Sequence, residues 1–220
     1  MSDVPQMIGL GVYHLSEAAK YTGVPTATLR SWFKVRSDGQ GVGPIFDSDF
    51  DPVDDDFAIS FLNLMEAYVA RFFKKEGVGP ATIRRAREIL RDELHTGHPF
   101  AHADLRTDGI RIIQKIKNRD LIDVISKQHF FGQMNLGRVK YSEATRLAEV
   151  WWIARGIVID PQINYGKPVI ENSGVSTLVV ARQYHANRKN AALVAKLFKV
   201  TKIGVTQAYR FEKRLGRVAA

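Results

Sequence analysis

Residues 13–34 read YHLSEAAKYTGVPTATLRSWFK, two short amphipathic stretches hinged on one Gly-Val pair, and that spacing breaks naturally into two short helices. In the first stretch Leu15, Ala18, Ala19 and Thr22 recur at helical intervals, with Ser16 before Glu17 as a start signal. Gly23 can take the positive φ that ends such a helix. Pro25 stands where a missing N–H costs little, Thr26 and Thr28 place hydroxyls near a helix start, and Leu29, Trp32 and Phe33 form an apolar stripe. The expected element is helix, tight turn, helix.

The rest of the chain is punctuated into further pieces. Between Arg36 and Asp56 it is rich in Gly and Asp, with six aspartates in residues 47–56, and reads as a loop or wing. Residues 57–73 are strongly apolar at helical spacing and predict a central core helix. Residues 81–94 predict a basic amphipathic helix, with Ile83, Ala86, Ile89, Leu90 and Leu94 inward and Arg84, Arg85, Arg87 and Arg91 mostly outward. Isoleucine-rich runs at 110–116 and 121–126, joined by Asn118, Arg119 and Asp120, predict short strands, as does 150–159. Residues 141–150 fit a helix as well as a strand. Helical periodicity returns at 175–184 and 191–198. A final helix over 202–215, capped by Thr201, should bury Ile203, Val205, Ala208 and Tyr209, with Glu212 as its only acid.

Composition narrows the class. The 220 residues are 45% hydrophobic and 25% charged, enough to bury a real core, and they contain no cysteine, so disulfides, thiolate zinc sites and cysteine nucleophiles are excluded. The N-terminus lacks a basic region followed by an apolar one, and no stretch has the length of a bilayer span, which predicts a soluble cytoplasmic protein. The net charge of +9 favours a polyanionic partner, and it is uneven: residues 156–220 carry eleven Lys or Arg against three acids, whereas residues 1–60 carry four against nine.

The segment HLSEAAKYTGVPTATLRSWF resembles the N-terminal helix-turn-helix of MerR-like regulators and excisionases through Ala18, Ala19, Gly23, Val24, Thr28, Leu29, Arg30 and Trp32. The resemblance implies that the second helix enters the DNA major groove, with Thr26, Thr28, Arg30, Ser31 and Lys34 as contacts to phosphates or base edges. The alternative is a plain helical hairpin with Arg30 in a structural ion pair.

The C-terminal segment resembles a domain of unknown function, number 433, as found in antitoxins similar to VapB45. Asp160, Pro161, Gly166, Pro168, Val169, Gly174, Val175, Thr177, Arg182, Tyr184, Phe211 and Glu212 carry that likeness. The central block from Phe57 to Leu94, with His98-Pro99 and Thr107-Asp108-Gly109, also fits antitoxins that join a MerR-like head to this tail. The resemblance implies neutralisation of a PIN-domain ribonuclease and repression of the protein's own operon. This chain departs from the pattern where acidic residues are usual, carrying Ala186-Asn187-Arg188-Lys189-Asn190 and Lys196-Leu197-Phe198-Lys199 instead. The departure strengthens an electrostatic reading in which Lys202, Thr206, Gln207, Arg210 and Lys213 contact DNA, against a merely solvated basic helix face. Arg214 and Arg217 are candidates for toxin binding, since a guanidinium can replace the charge of a metal held by a carboxylate cluster.

Other clusters are weaker. The aspartate run lacks the order of an EF-hand and reads as a solvated loop. His95, His98, His102 and Asp104 lack helical metal-ligand spacing. Trp151 and Trp152 fit buried packing better than base stacking. No Gly-x-Ser-x-Gly elbow, phosphate loop, dinucleotide fingerprint or zinc-protease motif is present, so an enzyme is not expected, and neither metal nor cofactor is implied.

The sequence thus predicts a mostly α, α+β protein. It comprises a winged-helix head at 8–97, a β-containing connecting region at 98–158 and a helical tail at 159–220. The expected function is a DNA-binding antitoxin with its own operator and a PIN-domain toxin as partners, acting as a homodimer or higher oligomer. A MerR-like or prophage regulator without a toxin, and a protein-interaction module gripping an acidic partner, are the alternatives.

Overall fold

The computed structural model describes residues 9–33, 43–51, 57–75, 77–105 and 138–218. They form an α+β protein dominated by helix, in two compact units. The described part of the head unit is 13–33, 43–51, 57–75, 77–105 and 141–148; that of the tail unit is 9–12, 138–140 and 149–218.

In the head unit, β1 (Tyr13–His14) pairs antiparallel with β2 (Ala58–Ile59) and leads into α1 (Leu15–Thr22) and α2 (Thr26–Phe33). Two longer helices, α3 (Phe61–Lys75) and α4 (Pro80–Leu94), complete it. Helix α3 starts where it does because Ser60 accepts from Asn63 N through its hydroxyl, at 3.1 Å, and from Leu64 N through its carbonyl, at 2.9 Å. The core is aromatic. Phe46 lies between Trp32, Phe33 and Phe100, with centroids 6.0, 5.2 and 6.1 Å away, and Phe100 stacks on Phe73 at 5.3 Å. Each such pair adds about 0.5–1.5 kcal/mol beyond burial alone.

A buried polar cluster ties this unit together. Glu66, with no exposed surface, receives Arg87 Nε at 3.1 Å and Nη2 at 3.4 Å, and Arg87 Nη2 also donates to the Gly97 carbonyl at 2.7 Å. His98 joins Glu66 through Nδ1 and Asp49 through Nε2, both at 3.2 Å, and Ser60 donates to Asp49. Burial alone would suppress the imidazolium, yet its hydrogen bonds to Asp49 and Glu66 and the attraction of both carboxylates lift His98 to about 9. The same contacts from His98 and Ser60 outweigh burial at Asp49 and hold its carboxyl below the usual aspartate value.

In the tail unit, β3 (Arg138–Tyr141), β4 (Ala148–Ala154), β5 (Ile157–Ile159) and β6 (Val169–Ile170) form a sheet in that order. The β4–β5 and β5–β6 pairs are antiparallel. Three helices follow: α5 (Thr177–Ala186), α6 (Ala191–Phe198) and α7 (Lys202–Arg214), the last packed on both others. Val180, Ala181, Val194, Val205, Ala208 and Phe211 form their shared core. Trp151 is buried, whereas Trp152 is partly exposed, donates to Glu171 at 2.7 Å and lies under the Arg138 guanidinium, 4.1 Å from its centroid.

Several expectations are corrected. The apolar run from Phe57 is not helical throughout, because 58–59 pair with β1 before Ser60 caps α3. Ser16 does not start α1: the helix begins at Leu15, whose N–H bonds to Phe57 O at 3.3 Å across the strand pair. Arg87 points inward, drawn by Glu66. Ile203 is 67% exposed because the buried face of α7 runs through Val205, Ala208 and Phe211. For residues 141–150, where the sequence leaves helix and strand open, the structure has a turn closed by Ser142 N on Leu147 O at 2.8 Å that leads into β4. Asp47 and Asp49 are not simply solvated, since Arg87 and His98 pair with them. The strands expected at 110–116 and 121–126 lie outside the described residues, as does part of the presumed wing, whose residues 43–51 contain no strand.

Candidate nucleic-acid interface

The α1–α2 turn is built from short-range bonds. Thr22 donates its hydroxyl to Ala18 O at 2.8 Å and accepts from Val24 N at 3.2 Å, which seats the buried Val24 side chain. Gly23 sits at φ 70° and its N–H closes α1 on Ala19 O at 2.8 Å. A Cβ there would lie 2.9 Å from Arg71 Nη1, and Arg71 in turn donates to Thr22 O at 2.7 Å. So α3 holds the turn from beneath through one guanidinium.

With Leu29, Trp32 and Phe33 buried, the opposite face of α2 is presented outward. Thr26, Arg30 and Ser31 are exposed on it. Thr28 is half-buried, and Lys74 Nζ donates to its hydroxyl at 3.1 Å, which adds a cation beside the helix that the sequence reading did not assign. Ser31 returns its hydroxyl to Thr28 O at 2.8 Å. Lys34 lies outside the described residues.

In the tail unit, Asn190 caps α6 by accepting from Leu193 N at 3.0 Å. Lys199 ends that helix in the left-handed region, and Thr201 caps α7 by accepting from Gly204 N at 2.9 Å. Lys202, Arg210, Lys213 and Arg214 are exposed along α7. Thr206 gives its hydroxyl back to Ile203 O at 2.9 Å. The end of the Gln207 side chain lies against the β4–β5 turn, where Gly156 stands at φ 71°, and a Cβ at that glycine would run into Gln207 Oε1. Between that turn and α7 lies a groove of about 450 Å³, lined by Ala154 and Arg155 on one side and by Ile203, Gln207, Arg210 and Arg214 among the α7 residues.

The structure therefore brings Thr206, Gln207, Arg210 and Arg214 to one groove. It places Arg217 elsewhere: its guanidinium grips Glu212, which has no exposed surface and is also bonded by the Thr177 hydroxyl. Thr177 and Glu212, two of the residues that carry the C-terminal resemblance, are thus a buried structural pair. Sequence reasoning missed Arg155. Its only signal was an Arg-Gly step between two isoleucine-bearing strands, where a turn would expose it.

No family model matches the chain. Over 195 residues it is 28% identical to a Mycobacterium tuberculosis protein named "Putative antitoxin VapB45", with 74% of this chain and 78% of that one covered. The chain has an antitoxin-named relative. The fold agrees: the crystal structure of Rv2018 from Mycobacterium tuberculosis matches with a TM-score of 0.71 at 26% identity, over 89% of this chain and 96% of that one. The sequence match makes the chain a distant relative of a protein named as an antitoxin, and the structure match shows that it shares its fold with Rv2018. Among the described residues no helix is long and apolar enough to cross a membrane.

Proposed function

We propose that the protein is the antitoxin of a type II toxin–antitoxin pair, a cytoplasmic regulator rather than an enzyme, which neutralises a PIN-domain ribonuclease and represses its own operon. The observation that carries this reading is the relationship to the antitoxin-named protein over three-quarters of both chains. The outward face of α2 supports the DNA arm: Thr26, Arg30 and Ser31 are exposed at the helix that a helix-turn-helix inserts into the major groove, with Thr28 and Lys74 beside them. One short helix reads few base pairs, so a dimer on a two-fold operator is expected. The toxin arm assigns Arg214 as the cation offered to the ribonuclease's carboxylates, because Arg217 is committed to Glu212.

Coexpression with the product of the adjacent reading frame tests the toxin arm. Copurification and rescue of growth are expected, and a partner that neither binds nor is toxic overturns it. A mobility shift on the protein's own promoter tests the DNA arm. Binding that weakens steeply with salt and loses promoter preference on Arg30→Ala is expected, and no shift at low salt overturns it.

A further inference from the structure

The groove between the β4–β5 turn and α7 is cationic and apolar at once. Arg155, Arg210 and Arg214 line it, and no Asp or Glu does; the one acid of α7, Glu212, is buried and paired with Arg217. Among the described residues, the guanidiniums of Arg155 and Arg210 have no hydrogen-bond or ion-pair partner, and the Arg214 guanidinium lies 5.5 Å from the Phe211 ring centroid. Planar guanidiniums in this setting call for carboxylates or phosphates, which they bind bidentately.

Two observations decide between those anions. Ile203 lines the groove while 67% exposed, and the half-buried Ala154 adds apolar surface to the lining. A phosphate backbone gains nothing from that surface, whereas an apolar side chain laid over an exposed isoleucine removes apolar area from water and is favoured by it. Shape points the same way. A recognition helix must project into a major groove about 12 Å wide, but this stripe of α7 borders a concavity with the hairpin turn beside it. The Thr206 hydroxyl is already spent on Ile203 O.

We infer that this groove seats an acidic, apolar-bearing peptide segment of a protein partner. Its carboxylates meet Arg155, Arg210 and Arg214, and its apolar side chain covers Ile203 and Ala154. The inference rests on the reading that the protein has a toxin partner, and it assigns Thr206, Gln207 and Arg210 to protein rather than DNA contact.

The test is fluorescence anisotropy of a short fluorescein-labelled peptide alternating Glu with Leu and Phe, titrated with the full chain at physiological salt. Saturable binding is expected, weakened about tenfold by each of Arg155→Ala, Arg210→Ala and Ile203→Ser. It should be unchanged by Lys213→Ala, which removes the same charge outside the groove, and by Arg30→Ala. A Glu-Ser peptide of equal charge should bind about tenfold more weakly. Absence of saturable binding, or equal binding of the Glu-Ser peptide, overturns the inference. So does displacement of the peptide by the promoter duplex with Arg155→Ala weakening that duplex, which would make nucleic acid the occupant. The titration reads the groove alone, so its failure is distinct from failure of the adjacent gene product to copurify.

Discussion

Arg217 closes on Glu212 from both ends of its guanidinium, Nε donating to Oε2 at 2.6 Å and Nη2 to Oε1 at 2.9 Å. The carboxylate has no other route to water, since its residue has no exposed surface. Removing the arginine leaves a buried charge without its counterion. Arg217→Ala should therefore destabilise the protein by about 3–5 kcal/mol in urea unfolding, and the double change Arg217→Met/Glu212→Gln by much less. Arg214→Ala should shift stability by no more than about 0.5 kcal/mol while weakening the partner complex. Equal stability losses at 214 and 217 would refute the assignment of the two arginines to different roles.

His98 makes stability depend on alkaline pH. Its folded value of about 9 stands above the ordinary 6.5, so its contribution is complete below 6.5 and disappears as pH rises through 9. The loss amounts to about 3 kcal/mol between neutral pH and pH 10. Urea midpoints across that range should fall in the wild type and stay flatter in His98→Gln. Asp49 acts at the other end: its lowered value means that its contribution holds above about 3.8 and fades as acid protonates it.

Gly23→Ala should cost about 1–2 kcal/mol, from the left-handed backbone and from the approach to Arg71. Because the displaced guanidinium also supports Thr22 O, promoter affinity should fall further than stability alone explains. Retained affinity at full folding would show that the turn does not set the pose of α2.

Arg30→Ala separates contact from scaffolding. If Arg30 meets a phosphate, the slope of log affinity against log salt should shrink by about one unit with the melting temperature unchanged. A lower melting temperature with an unaltered slope would return Arg30 to the structural role that a plain helical hairpin requires.

Helix ends are legible where they carry their own punctuation: Gly23 at φ 70° and Thr201 on Gly204 N are local chemistry. What escaped was set by partners distant in sequence. Nothing near Arg87 announces that Glu66, twenty-one residues away, turns it inward. Ile203 looked like core because α7 is amphipathic with two apolar edges, and only packing against α5 and α6 chose between them. The candidate site follows the same division. The face of α2 is readable from one helix, whereas the groove requires Arg155 and Arg210, brought together by the hairpin and the last helix.

The close approach of the Gln207 side chain to Gly156 has an evolutionary consequence. Any side chain at 156 would displace the end of the glutamine and reshape that end of the groove, whereas a shorter residue at 207 would make room for one. The two positions should therefore drift in concert among descendants, with the strand turn and the terminal helix inherited as one heritable module.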